Sequence, residues 1–270
     1  MRTHGRIALV PTMGALHQGH LTLVREAKAL GAQVVVSIFV NPRQFGAGED
    51  LDAYPRQLEA DAALLATEGV AILWAPAPEE VYPEGYATNI SVSGVSEGLC
   101  GGTRPGHFDG VATVVNKLFN QVQPDVALFG EKDWQQLAVI RRMARDLDLT
   151  HPSVDNIIGV PTVREKDGLA LSSRNAYLSA EERAQAVSLP TAMRKAIAAI
   201  EKKADVAETL AALQADVLAG GFLSVDYAEL READSLMPLT ELGSHPARLL
   251  VAARIGKARL IDNMPVSAKG

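Results

Sequence analysis

Hydrophobic positions along the chain alternate between short continuous runs and stretches at helical spacing. IALV at 7–10 is a continuous run, and Leu23, Val24, Ala27 and Leu30 then fall on one helical face. VVVSIFV (34–40) is rich in β-branched residues with almost no polar interruption, the pattern of a strand buried on both faces. A helix is predicted around 56–67, then a second buried strand in VAILWAP (70–76) and a shorter edge strand in NISVSG (89–94). Residues 111–122 read as a helix and DVALFG (125–130) as a strand. Leu137, Ile140, Ala144 and Leu147 repeat at helical spacing before another strand, IIGVP. Strands separated by helices imply βαβ units and a mostly parallel, doubly wound sheet.

The pattern changes after Asn175. Ser179 with Glu182 forms a capping box that opens a helix, and Val206, Leu210, Leu213 and Val217 mark another. SVDYAEL, RLLVAARI and ARLID then alternate like strands of an antiparallel sheet. The expected fold is therefore α/β, a doubly wound parallel (Rossmann-like) sheet over 1–170 with a smaller α+β domain over 171–270. The boundary falls in the 166–178 loop, and a site there would lie between domains. The smaller domain is expected to act as a lid, with Gly168 supplying backbone freedom.

At 270 residues the chain has room for one large and one smaller domain, and 47% hydrophobic content supports a substantial core. A net charge of −6 without a basic patch argues against nucleic acid or a membrane surface as partner. It leaves anionic small substrates open, because a local cluster of cations dominates the field inside a cleft. Cys100 is the single cysteine, which fits a reducing compartment. With no apolar signal core and no long apolar span, the chain reads as soluble and cytoplasmic.

Chemistry concentrates in two segments. PTMGALHQGH (11–20) joins a strand to a helix start, where free backbone N–H groups favour phosphate. Gly14 and Gly19 would let a ligand approach the backbone, and His17 and His20 would offset charge developing on a phosphate. The structural alternative is that one histidine caps the helix and the other packs. A zinc site lacks a cysteine partner or an HExxH pattern. The second segment, KDGLALSSRN (166–175), gathers Lys166, Ser172, Ser173 and Arg174, hydroxyls and cations suited to phosphate oxygens. Three further segments contribute. FVNPRQFG (39–46) carries the amides Asn41 and Gln44 at a strand's carboxyl end. GEKDWQQL (130–137) places Gly130 and Lys132 at a phosphate-favourable helix start, with Asp133 and Gln136 as a plausible cap. RPGHFDG (104–110) reads as a mobile lid or a turn.

These blocks, in this order, resemble the pantothenate synthetase (pantoate–β-alanine ligase) family, within the HxGH nucleotidyltransferase superfamily. HQGH and LSSRN are similar to its HxGH and KMSKS-like loops, and ARLIDN near the C-terminus also fits. Family members usually carry a further helical segment ahead of the first strand, which here begins near Ile7. The resemblance implies an AMP-forming ligase of the coenzyme A pathway, acting on pantoate, β-alanine and Mg²⁺-bound ATP through a pantoyl adenylate. His20 would be the proton donor, with His17, Lys132 and Arg174 also in the catalytic set. The ATP-binding positions would be Met13, Gly14, Ala15, Leu16, His17, Gln18, Gly19 and His20. To these it adds Gly130, Glu131, Lys132, Asp133, Val163, Leu171, Ser172, Ser173 and Arg174. Gln44, Gln136 and Asn41 would hold pantoate or β-alanine; no metal ligand is assigned. A homodimer is also implied. A cytidylyltransferase and a catalytically silent nucleotide-binding protein remain as alternatives.

Overall fold

A computed structural model describes residues 5–267. Two compact units emerge. The first runs to Glu131 and resumes over Gln135–Thr162; the second joins Lys132–Trp134 to the chain from Val163 onward.

In chain order, the first eleven α-helices and strands are β1 (Ile7–Thr12), α1 (Gln18–Ala29), β2 (Gln33–Ile38), α2 (Leu58–Thr67), β3 (Ile72–Trp74), α3 (Pro78–Val81), α4 (Leu99–Thr103), α5 (His107–Val122), β4 (Val126–Gly130), α6 (Trp134–Asp146) and β5 (Ile157–Val160). All the sheet pairings are parallel, in the order β3-β2-β1-β4-β5. β1 is the central strand, and Ala8, Leu9 and Val10 are wholly buried. Leu21 and Val24 of α1 pack with Val10, Val36 and Leu128 of the sheet, so the helical face read from spacing is the core face. Leu30 falls outside it, as the partly exposed C-cap. The strand order reverses between β1 and β4. The crevice at the carboxyl ends beside such a reversal is where open α/β sheets bind ligands.

Three local expectations change. VAILWAP forms only the three-residue β3, at the sheet edge, and Ile72 is exposed rather than buried. Residues 89–94 form no strand. The Ile90 N–H donates to Thr113 Oγ1 (2.9 Å) and Ser91 Oγ to Asp109 Oδ1 (2.8 Å), so side chains of α5 take the place of a neighbouring strand. RPGHFDG is a loop only in part: His107–Gly110 are the first turn of α5. A Cβ on Gly110 would meet the Arg43 carbonyl oxygen at 2.3 Å, so this glycine permits close packing of the helix rather than loop motion.

The second unit contains α7 (Ala180–Gln185), α8 (Ser188–Ile200), α9 (Val206–Ala219) and the strands β6 (Ser224–Glu232), β7 (Ala247–Ile255) and β8 (Ala258–Val266). The strands pair antiparallel in sequence order. Leu189, Met193, Leu213 and Val217 of the helices pack with Leu249, Val251 and Ala253 of β7. Ser179 and Glu182 form the expected capping box at α7. Gly168 lies inside this unit, in a turn closed by its own N–H to the Glu165 carbonyl (2.9 Å). Its φ of +96° favours glycine, and a Cβ there would meet Arg194 Nη2 at 2.2 Å. Its glycine requirement is thus conformational and steric within an ordered turn. The chain joins the two units elsewhere, at 131/132, 134/135 and 162/163.

Candidate active site

The histidine loop begins where β1 ends. Gly14 and Ala15 take φ of +82° and +50°, a reversal that costs an L-residue such as Ala15 about 1 kcal/mol. The buried carboxylate of Asp61, on α2, holds this turn: Oδ2 accepts the Ala15 N–H and Oδ1 the Leu16 N–H, both at 2.9 Å. A Cβ on Gly14 would approach Asp61 Oδ2 to 3.0 Å, so this glycine serves internal packing.

His17 is the N-cap of α1. Its Nδ1 accepts the Gly19 N–H (3.1 Å), and His20 Nδ1 accepts the His17 N–H (3.3 Å), a reciprocal capping box with ring centroids 4.1 Å apart. The capping role weighed against catalysis is therefore real, and it has a chemical consequence. A ring accepting at Nδ1 carries its proton on Nε2 when neutral, so both tautomers are set by the backbone. The same geometry revises how the loop meets an anion. The N–H groups of Gly14, Ala15, Leu16, His17, Gly19 and His20 all have acceptors inside the chain. These backbone donors are therefore not free for an anion, contrary to the expectation from sequence.

Gln44 and Asn41 lie past the carboxyl end of β2, both buried. Asn41 Nδ2 donates to Gln44 Oε1 (3.1 Å) and the Gly110 carbonyl (3.0 Å), while its Oδ1 accepts from Tyr82 Oη (2.8 Å) and the Arg43 N–H (3.3 Å). With those positions taken inside the chain, Asn41 orients Gln44. Gln44 Nε2 points at Met13 Sδ (2.9 Å), a weak acceptor that a substrate oxygen can replace at small cost. Burial, only partly offset by Arg43, pushes the Tyr82 hydroxyl up to about 12, so it remains a neutral donor across assay pH.

His107 and Arg104 support the same residue from behind, His107 Nδ1 lying 2.8 Å and Arg104 Nη2 3.3 Å from the Gln44 carbonyl oxygen. Glu49 pairs with Arg104, and the guanidinium's hydrogen bond holds its carboxyl below the ordinary value of 4.5. A depressed native value means the pair stabilises the fold above pH 4.5 and loses that contribution as pH falls through the native value. Glu49→Gln should therefore flatten the acid side of a Tm-against-pH profile by less than about 1 kcal/mol, since the pair is partly exposed. The deficit should be present at neutral pH and vanish in acid, where the wild-type carboxyl is itself protonated.

The adjacent glutamines of α6 divide their work. Gln135 is buried: its Oε1 accepts the Cys100 N–H (3.0 Å), and its Nε2 donates to the carbonyls of Val95 (3.1 Å), Glu97 and Gly98 (both 3.3 Å). Gln136 is half-buried. Gln135→Ala should cost about 2–4 kcal/mol in urea unfolding by stranding buried backbone groups. Gln136→Ala should leave stability unchanged.

In the second unit, Lys132 and Ser172 border one small depression with Leu169, Ala170, Asn175 and Asp262; its volume of about 10 Å³ holds at most a water molecule. Lys132 Nζ is 3.8 Å from Asp133 Oδ2. Asn263 Nδ2 donates to the Lys132 carbonyl (2.9 Å), Asn263 Oδ1 accepts from Arg248, and the Arg248 guanidinium lies 3.4 Å over the Trp134 ring. Arg164 grips buried Asp262 through two nitrogens (2.7 and 2.8 Å), tying the turn to β8. The Leu171 N–H bonds the Val163 carbonyl (3.0 Å), which brings these two expected nucleotide positions side by side. Ser172 Oγ caps the short helix Ser173–Tyr177 by accepting the Arg174 N–H (3.3 Å). Lys166 is exposed at the turn, between two acids that pair with Arg183. A Cβ at Gly130 would meet nothing within 4 Å, so close approach of a ligand is open there.

Sequence reasoning missed Asp61, Tyr82, Gln135, Arg248 and Asn263. Each acts through a neighbour distant in sequence, and only the helical phase of Gln135, one position from Gln136, left a readable trace.

The profile of the family described as Pantoate-beta-alanine ligase matches residues 1–265. A pantothenate synthetase of Novosphingobium aromaticivorans is 72% identical over 260 residues, covering 96% of this chain and 91% of that protein. The crystal structure of the pantothenate synthetase of Thermus thermophilus superposes with a TM-score of 0.91 at 50% identity, over 97% of this chain and 94% of that one. That of the Francisella tularensis pantoate-beta-alanine ligase, complexed with beta-gamma ATP and beta-alanine, gives 0.80 at 35% identity, over 98% and 91%.

Proposed function

The chain belongs to the pantoate-beta-alanine ligase family, and from that premise we propose how its residues share out the reaction. It is an ATP-dependent ligase that condenses pantoate with β-alanine to pantothenate. In the first step a pantoate carboxylate oxygen attacks the α-phosphorus of ATP, and the bond to pyrophosphate breaks. In the second, the β-alanine amine attacks the activated carbonyl, AMP leaves, and the amine gives up a proton. Adenylation is needed because a carboxylate is a poor acyl donor.

One observation carries the assignment of roles. The Nδ1 atoms of His17 and His20 are both bound to backbone N–H groups, so neutral rings carry their protons on Nε2. His20 then serves as proton donor and His17 as its electrostatic partner at the phosphoryl group. Lys132, Ser172, Ser173 and Arg174 are assigned to the anionic oxygens of the nucleotide, and Gln44 and Gln136 to pantoate and β-alanine. Among the described residues, no three His, Cys, Asp or Glu side chains converge on a metal site. We therefore assign Mg²⁺ to the nucleotide phosphates, a common mode for an ion that retains much of its water. No helix among the described residues is long and apolar enough to cross a membrane; a cytoplasmic homodimer belongs to the same proposal.

Isotope exchange tests it. Pantoate and ATP without β-alanine should sustain exchange of labelled pyrophosphate into ATP, and adding β-alanine should release AMP. Exchange that appears only with β-alanine would remove the separate adenylation step. A preference for CTP would favour the cytidylyltransferase reading.

A further inference from the structure

Asp61 stands out because its burial has no explanation in packing alone. It is 1% exposed, on a helix (LEADAALLAT) whose other acid, Glu59, is exposed and whose remaining residues are apolar or small. Among the described residues no cation pairs with it. Its oxygens instead take the N–H groups of Ala15 and Leu16 at 2.9 Å and Gln57 Nε2 at 3.2 Å. Burying an unpaired carboxylate is costly, and donors of this kind are what make it tolerable. Two of the three donors belong to the turn that leads directly into the histidine pair, 45 and 46 residues away in sequence.

That turn is strained where the carboxylate grips it. Ala15 at φ +50° has the conformation a glycine adopts freely and an alanine resists. Without an anchor the peptide would relax toward negative φ. His17 would then lose the extended N-cap geometry (φ −139°) from which its Nδ1 reaches the Gly19 N–H. The His20 Nδ1 contact with the His17 N–H depends on the same capping box.

We propose that Asp61 is a positioning residue of the active site, whose carboxylate locks the 14–16 turn and thereby fixes the tautomer and direction of His17 and His20. Asp61 touches no reacting atom in this role; it acts through the backbone. The carboxylate also keeps the Ala15 and Leu16 N–H groups occupied, which leaves anion recognition to the imidazoles. The inference rests on the ligase reading only where turnover is the readout.

The test uses Asp61→Asn in the full chain. The substituted amide must turn its NH₂ end toward one of the two backbone N–H groups, donor against donor, so the two-pronged grip cannot be kept. Pantoate-dependent pyrophosphate exchange should fall about tenfold to a hundredfold in kcat, the scale of a misplaced catalytic group. Histidine-selective ¹⁵N spectra of the ligand-free protein supply the second readout, with His17→Ala and His20→Ala giving assignments. The wild type should show Nε2–H tautomers for both rings, and Asp61→Asn should shift or broaden both. Adding Ala15→Gly to Asp61→Asn should recover part of both losses, because glycine accepts the turn without an anchor. Should Asp61→Asn fail to fold, Asp61→Glu, which displaces the charge by one methylene, is measured the same way. Unchanged histidine spectra in the folded variant, or exchange within threefold of wild type, would overturn the proposal. If wild type shows no exchange at all, the ligase reading fails while the spectra still decide the role of Asp61.

Discussion

Replacing His20 by alanine is expected to lower kcat by about 10²–10³ with little loss of fold, the scale set by removing one preorganised donor from a developing charge. His20 is only half-buried, and its side chain enters the capping box through a 3.3 Å bond from the His17 N–H to Nδ1. Losing that bond costs at most a typical cap, about 1 kcal/mol. The His17 Nδ1 contact with Gly19 and the Asp61 anchor stay in place. His20→Asn separates the two roles. An asparagine oxygen can still accept the His17 N–H, but the amide cannot exchange a proton near neutral pH. His20→Asn should therefore match wild type in Tm and match His20→Ala in turnover. Activity within threefold of wild type in His20→Ala, with a marked fall in Tm, would reduce His20 to a capping residue.

Much of this molecule was legible because its signals are local. The β-branched run at 34–40 yielded the second strand of the sheet, Ser179 and Glu182 a helix start, and alternation after residue 224 an antiparallel sheet. Where the reading failed, a distant partner decided the outcome. The 89–94 segment has strand-like alternation, but Thr113 and Asp109 on α5 satisfy its polar groups and no strand lies beside it. VAILWAP has the composition of an interior strand and sits at an edge, since strand order is not encoded in any one strand. The site shows the same division. His17, His20, Gln44 and Lys132 occupy recognisable loops, whereas Asp61 reads as one more acid on a helix and Asn263 as one residue of a strand. Nothing in their own neighbourhoods announces that they hold those loops.

Lys132 is where that distant support has its largest expected consequence. Lys132→Met should lower kcat/KM for ATP in pyrophosphate exchange by about 10²–10³, because an ammonium is withdrawn from charge building on the phosphoryl oxygens. The side chain is only 18% exposed, and its neighbour Asp133 is a loose partner at 3.8 Å, so the ammonium is not tied up in a tight pair. What fixes it is the backbone. Asn263 on β8 holds the Lys132 carbonyl, Arg248 on β7 holds Asn263 and stacks on Trp134, and Trp134 Nε1 bonds the Ala233 carbonyl (2.8 Å). Residues 132–134 are thereby fastened to the sheet of the second unit, which is why they cluster with it although they follow β4 in sequence. Asn263→Ala should then act as a weakened Lys132→Met, with a loss of about tenfold and the charge still present. Combined with Lys132→Met it should add little further loss, since both changes withdraw the same ammonium from the same place. Full additivity of the two, or exchange within threefold of wild type in Lys132→Met, would detach this lysine from the chemistry and leave the network as a purely structural clasp.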